Sequence, residues 1–555
     1  MSARVRGGGW LLLLLTLTLL AAFPYAEATR NANERPRLLQ GIALAERGEW
    51  SIDGVAARYN LSQGPDIARD PESGRIYPNK PPGASVVAAA AFALTRALHP
   101  RPTLRLYTWW ARLLGAALPT LLLVAFLWRR FAAQLGPRPL AVALYFYVWA
   151  TPAAAYAHLF YGHQLAACAL TVGAILLIDS VRANRSALAA LAGLLTALAV
   201  TVEYTAAFAA LPIAAWLLIR SARALRPTRH QTSAPTDAPK PTRSPFSAPL
   251  AALAGALAPI LALAAYHTHA FGGPLHTGYH HVLDPTFAAL HGQGLLGLGA
   301  PRWGAFYAQI LAPGAGLLFW APLTLVGALG LALGARSDPL HRPHRALLLA
   351  LFLLFIALAA GLSFTGGWRV GPRYLVAVMP GAALGLAWLL AARGRHLPVL
   401  GVISFLGAAA TAANALAADL WPHFDLDAVN APVAEVLLPL WRAGYRAYDP
   451  LQLFAAVATP IARLAIPTTV LAGLALLLAL DRRRSAALTI VLGAALGLAA
   501  VLASASLPPH ARAAANLRYI ERVWEPPLAG PEATSAPLTL RAKQSRSPDP
   551  GKRAP

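Results

Sequence analysis

Two short stretches carry residue types that could do chemistry together. "ATRNANERPRLL" holds Glu34 with Asn31 and Asn33 at the head of an apolar-periodic segment, and "RIYPNKPPGASVV" holds Lys80 just before two prolines and a glycine. A carboxylate at Glu34 is suited to take a proton from an attacking hydroxyl, although acids also favour the first turn of a helix for purely electrostatic reasons. Lys80 precedes a helix start, where free N–H groups and the positive dipole end join the ammonium in favouring an anion. Gly83 would let a ligand approach the backbone closely. The plainer alternative is that Pro-Pro-Gly only starts a helix while Lys80 snorkels to headgroups.

A second basic pair, Arg369 and Arg373 in "TGGWRVGPRYL", flanks Gly371-Pro372. Lipid headgroups could partner these cations. A phosphate held by Lys80, Arg373 and Arg369 is the other reading, since arginine grips phosphate oxygens in a bidentate fork and lysine adds a point charge. Asp53 in "WSIDG" is a second candidate base. Glu203 and Tyr204 interrupt a hydrophobic stretch, where an ionisable group is a functional candidate unless it marks a hairpin tip. Asn33, Tyr77, His163, Trp368 and Tyr374 complete the candidate pocket with them.

The elements that must position these residues are membrane helices. Of 555 residues, 57% are hydrophobic and 13% charged, and apolar runs recur along nearly the whole length. A single soluble core does not account for that, so the expectation is an all-α polytopic membrane protein. The net charge of +24 comes in short clusters one or two helix lengths apart, which is the positive-inside pattern rather than a nucleic-acid surface. Placing every cluster in the cytoplasm requires that residues 83–98 do not cross, and so predicts an interfacial or re-entrant helix there.

About thirteen transmembrane helices follow, with the N-terminus inside and the C-terminus outside. Only Asp179, Asp237, Asp338 and Asp481 then fall on the inner side, so the outer face is where chemistry is expected.

The expected division is a first span at 1–26, an outer loop at 27–105 with the candidate site, front spans at 106–219, a basic linker at 220–247, back spans at 248–507 and a polar outer tail at 508–555. Residues 1–28 also imitate a cleaved secretory signal. In the first loop, apolar spacing over 35–49 predicts an amphipathic helix on the bilayer surface. The linker is Pro-, Ser- and Thr-rich and predicted disordered, and a short helix is expected near 518–524. Cys168, the only cysteine, lies in an apolar run and reads as a buried inert thiol.

No HExxH, Cys/His framework, P-loop or dinucleotide fingerprint occurs in a fitting context. The histidines thus predict no metal site, and cytoplasmic nucleotide chemistry is unsupported.

The order of these features resembles the GT-C membrane glycosyltransferases, in particular the branch with bacterial aminoarabinose transferase and the protein mannosyltransferases. The stretches that carry it are "RNANERPRLLQGIALAERGEWSID", "YPNKPPG", "HLFYGHQLAACALTVGAILL", "TVEYTAAF", "FGGPLHTGY" and "GGWRVGPRYL".

The resemblance implies transfer of a hexose or pentose from a polyprenyl-phosphate donor to an extracytoplasmic lipid, glycan or protein at the cell membrane. It implies Glu34 as the base and Lys80 as a contact of the carrier phosphate, with no nucleic acid involved. The family's Asp-Glu pair stands here as Asn33-Glu34, which leaves a divalent metal without its two acids. Departure of an anionic phosphate suits the cations, and one displacement inverts the anomeric centre. A lipid or solute transporter and a non-catalytic envelope-assembly protein are the alternatives. An isosteric Glu34→Gln change is expected to abolish transfer and to leave either alternative unaffected.

Overall fold

The computed structural model describes residues 3–26, 31–99, 102–225, 246–333, 341–364, 366–455, 457, 459 and 461–524. Helices dominate, and among the described residues the one sheet is an antiparallel pair, β1 (Ile67–Arg69) and β2 (Ile76–Pro78). The chain is therefore all-α, as its composition demands. Nine helices in the described residues are long and apolar enough to cross a bilayer, and four shorter apolar helices accompany them. Helix length does not establish the expected thirteen crossings. Prolines explain part of the difference: Pro152 and Pro322 break stretches that read as continuous by composition.

The first helix, α1 (Ala3–Leu20), leads to the loop expected on the outer side. There α2 (Arg35–Arg47) starts with Pro36 in its first turn and stops at Gly48, whose φ of 66° closes the helix in the left-handed region. Helix α3 (Asp53–Tyr59) and the β-hairpin follow, then α4 (Gly83–Leu98), whose bounds are those expected for the non-crossing helix. Helix α2 differs from expectation. All of Pro36 to Ala43 are buried, Arg37 and Gln40 included, so it lies inside the protein rather than on a surface. Its polar residues find partners within the protein: Gln40 donates to the Trp50 carbonyl at 2.7 Å.

Helix α5 (Leu104–Arg112) runs through one π-type turn into α6 (Leu118–Leu135), forming a rod of 32 residues. Helices α7 (Pro137–Trp149), α8 (Ala153–Ala157), α9 (His163–Ala183) and α10 (Ser186–Val202) follow. A 3₁₀ segment, Tyr204–Ala209, joins α10 to α11 (Ala210–Leu225), and α12 (Ser247–Phe271) opens the back half. The centre of the molecule is a large apolar cluster in which Tyr145, Tyr147 and Phe131 are fully buried.

Close helix contacts rest on small residues. A Cβ on Gly193 would lie 1.9 Å from the Ala252 carbonyl oxygen, and one on Gly255 would lie 1.9 Å from that of Ala190. Backbones of α10 and α12 thus touch directly, the packing that membrane helices use where lipid offers no hydrophobic drive. Asp179, one of the few acids expected on the inner side, pairs with Arg130 at 2.6 Å and with His344 at 3.1 Å, so residues of the basic clusters neutralise it. Near the chain's end a helix spans Ala513–Val523. Most of the 220–247 linker and the tail beyond 524 lie outside the described residues.

Candidate active site

Lys80 is held by the hairpin and by the loop after α12. Its Nζ lies 3.5 Å from Asp66 Oδ2 and 3.4 Å from the Tyr279 hydroxyl, and 4.9 Å from the centre of the Tyr279 ring. Gly278 is required there, because a Cβ would stand 2.6 Å from the Asn79 Cα. Burial disfavours the ammonium, but Asp66 together with Tyr279 and Tyr374 outweighs this and holds Lys80 above the usual lysine range. Gly83 has a different role from the one expected. A Cβ on it would meet the Thr201 carbonyl and hydroxyl oxygens at 2.6 Å, so the missing side chain serves the seating of α4 on the end of α10.

Arg373 opens the 3₁₀ segment Arg373–Val378, and its Nη2 donates to the Tyr374 hydroxyl at 3.1 Å. Its Nε and Nη1 are buried without a hydrogen-bond partner among the described residues. A buried donor left unmade costs about 1–3 kcal/mol, so this guanidinium is poised for an acceptor. Arg369 is buried too; one Nη donates to the Gly366 carbonyl, while its Nε has no partner among the described residues. Burial, and then the charge of Arg373, bring it down to about 10.

Next to the cations lies an apolar cavity of about 450 Å³. Leu211, Leu295, Leu298 and Phe355 line its body, and Tyr204, Tyr279 and Tyr374 form its polar margin. Tyr279 contacts Lys80 and Tyr374 contacts Arg373, so both cations adjoin this tyrosine margin.

Glu203, between α10 and the 3₁₀ segment, is a buried carboxylate on which Arg37, Lys80 and Arg373 act. Its Oε1 accepts from Arg37 Nη2 at 2.8 Å, and its Oε2 lies 3.6 Å from His163 Nδ1. Arg37 also donates to the carbonyls of Tyr161 and Asn33. Gly162, with φ of 89°, passes so close that a Cβ would be 2.9 Å from Glu203 Oε1. Only glycine fits this backbone. Lys80 and Arg373 both act on the charge of Glu203 and on that of His163.

Glu34 is engaged elsewhere. Arg112 grips it in a fork, Nε to Oε1 at 2.7 Å and Nη2 to Oε2 at 2.8 Å, and the Phe160 amide donates to Oε1 at 2.6 Å. Burial alone would raise the carboxyl, but Arg112, helped by His423 and the Phe160 amide, holds Glu34 below the usual carboxylate range. With Tyr25, Asn31 and His423 this pair lines a separate small cavity of about 40 Å³. His423 takes a hydrogen bond contact from Asn31 Nδ2 at 2.6 Å, and burial pushes its imidazole down to about 4. Among the described residues, no hydrogen bond or ion pair joins Glu34 to Lys80.

The remaining candidates are structural in their contacts. Asp53 Oδ2 accepts the Ile76 amide at 2.8 Å and so pins β2 to the start of α3. Tyr77 is buried against Phe271. Asn33 is buried beside Glu34, and its carbonyl accepts from Arg37 at 3.4 Å. Tyr204 contacts His267 Nε2 at 2.9 Å, and the Trp368 carbonyl accepts from the Tyr161 hydroxyl at 3.4 Å. Among the described residues no group of three or more His, Cys, Asp or Glu is arranged to hold a metal ion.

Sequence reasoning missed Asp66, Arg37, Arg112 and Tyr279. Arg112, alone amid "WWARLL", carried the clearest signal, since a charge in an apolar run calls for a partner.

No family model and no curated protein sequence matches the chain. Among solved structures it is similar to ArnT from Cupriavidus metallidurans bound to undecaprenyl phosphate, at 16% identity over 88% of this chain and 77% of that one, with a TM-score of 0.44. It is also similar to the arabinosyltransferase EmbB from Mycobacterium smegmatis, at 16% identity and a TM-score of 0.42 over 94% of this chain and 43% of that one.

Proposed function

We propose that the chain is a membrane glycosyltransferase that moves a sugar from a polyprenyl-phosphate donor to a hydroxyl of an extracytoplasmic lipid, glycan or protein, with inversion. The observation that carries this reading is the juxtaposition of Lys80 and Arg373 with the apolar cavity behind Tyr204, Tyr279 and Tyr374. An anionic head with an apolar tail satisfies both halves at once: the phosphate supplies acceptors to the unpartnered Arg373 nitrogens, and the isoprenoid fills the cavity.

The same cations serve the chemistry. As the anomeric carbon–oxygen bond breaks, negative charge grows on the leaving phosphate, so Lys80 and Arg373 bind the transition state more tightly than the ground state. Arg369 lies in the same basic loop and adds positive potential. A single displacement at the anomeric carbon inverts it. Glu34, with both oxygens on Arg112, is a weakened base while that fork persists.

The test is binding by the full chain in nanodiscs, with undecaprenyl phosphate, undecaprenol and inorganic phosphate as probes. Undecaprenyl phosphate is expected to bind, undecaprenol more than tenfold less tightly, and each of Lys80→Ala and Arg373→Ala to weaken the phosphate-bearing lipid by about tenfold, the range of one charge-assisted contact. Equal affinity for alcohol and phosphate, or variants that bind as the wild type does, would overturn the reading. Movement of the lipid across proteoliposomes with no covalent product would assign transport instead.

A further inference from the structure

We infer that His163 is the residue that takes the proton from the acceptor hydroxyl, with Glu203 as its positioning residue; this rests on the glycosyl-transfer reading above. The imidazole is buried at the first turn of α9. Its Nδ1 faces Glu203 Oε2 at 3.6 Å, and its Nε2 is buried with no hydrogen-bond partner among the described residues. Glu203 cannot turn freely, because Arg37 holds its other oxygen at 2.8 Å and Arg37 is itself fastened to the Tyr161 and Asn33 carbonyls. The order is thus guanidinium, carboxylate, imidazole, free ring nitrogen.

That order has a chemical meaning. A carboxylate facing Nδ1 favours the tautomer with the proton on Nδ1, which leaves the Nε2 lone pair to accept a proton. The 3.6 Å approach is longer than a hydrogen bond, and such contacts commonly shorten when substrate binds. The surroundings tie the ring to the donor site. Tyr156 from α8 and Tyr161 pack on one side, Tyr374 from the Arg373–Val378 segment on another, with ring centres 5.7, 6.4 and 5.8 Å away. Arg37 from α2, Lys80 ahead of α4 and Arg373 are the cations that act on it, and Glu203 is the acid that meets it directly. Glu34 is the weaker base of the two sites, because the Arg112 fork holds its carboxyl below the usual carboxylate range.

In the step, the acceptor oxygen bonds to the anomeric carbon and the carbon–oxygen bond to phosphate breaks, its electron pair leaving with the phosphate. The hydroxyl proton passes to His163 Nε2. The imidazolium is stabilised by Glu203 until the proton is lost to water.

The experiment uses the full chain in nanodiscs, the polyprenyl-phosphate sugar fraction of a deletion strain as donor and its envelope fraction as acceptor, with product read by mass spectrometry across pH. His163→Gln is expected to slow transfer about 10²–10⁴-fold and to abolish the acid limb of the rate profile, with undecaprenyl phosphate affinity held within about threefold. Glu203→Gln is expected to slow transfer less and to move the acid limb to lower pH, because the imidazolium loses its counter-charge.

A wild-type rate and acid limb in His163→Gln overturns the assignment. If that variant fails to bind lipid and so to fold, Glu203→Gln decides: an unmoved limb overturns it. Loss of transfer in Glu34→Gln with full transfer in both other variants overturns it as well. Failure of the donor-site reading shows separately, as lipid binding that Arg373→Ala leaves intact.

Discussion

The Glu34–Arg112 pair is a forked, buried contact that joins the head of α2 to the end of α5. Removing one partner strands the other charge, at a cost of about 3–5 kcal/mol, whereas removing both is often tolerated. Arg112→Met is therefore expected to lower the thermal unfolding midpoint sharply, and Glu34→Gln/Arg112→Met to recover most of the loss, as read by intrinsic fluorescence in detergent. The pH dependence has a definite sign. Glu34 is held below its ordinary range, so its stabilisation is complete above about pH 4.3, the free glutamate value, and is lost as pH falls further. Wild-type midpoints should fall between about pH 5 and 3 more steeply than those of Glu34→Gln. Both Glu34 and Lys80 announced themselves in the sequence. What lay hidden was the partner of each: Arg112 stands 78 residues from Glu34, and nothing local links them.

At the scale of elements, helix boundaries were more legible than helix surroundings. Proline and glycine mark where α2 and α4 begin and end, and the charge rule alone kept 83–98 out of the spans. Burial of α2 could not be read, because apolar spacing identifies an inner face without revealing that a distant carboxylate, Glu203, covers the polar one. Breaks such as that at Pro322 likewise divide stretches that composition joins. The glycine contact between α10 and α12 gives a test. Gly193→Val puts a side chain where the Ala252 carbonyl already stands, so α12 must move. A loss of about 1–3 kcal/mol or more is expected in unfolding experiments, with Ala197→Ser on the same helix as a mild control.

Across the whole molecule, the charge rule calls for one orientation. In it the basic clusters and Asp179 would face the cytoplasm, and Lys80, Arg373 and the first loop the outside. Cys168 is buried, so it does not compete for labelling. In a Cys168→Ser background, Ser73→Cys is expected to react with a membrane-impermeant maleimide in intact cells, and Ser485→Cys only after permeabilisation. The reverse pattern would put the site in the cytosol.

Arg37 adds a consequence in time. Its carboxylate partner is encoded 166 residues downstream. At a synthesis rate of about 5–20 residues per second, its guanidinium waits roughly 8–33 s for Glu203 to emerge from the ribosome. During that interval the nascent chain carries Arg37 without its carboxylate, and chains that stall before Glu203 never acquire the pair.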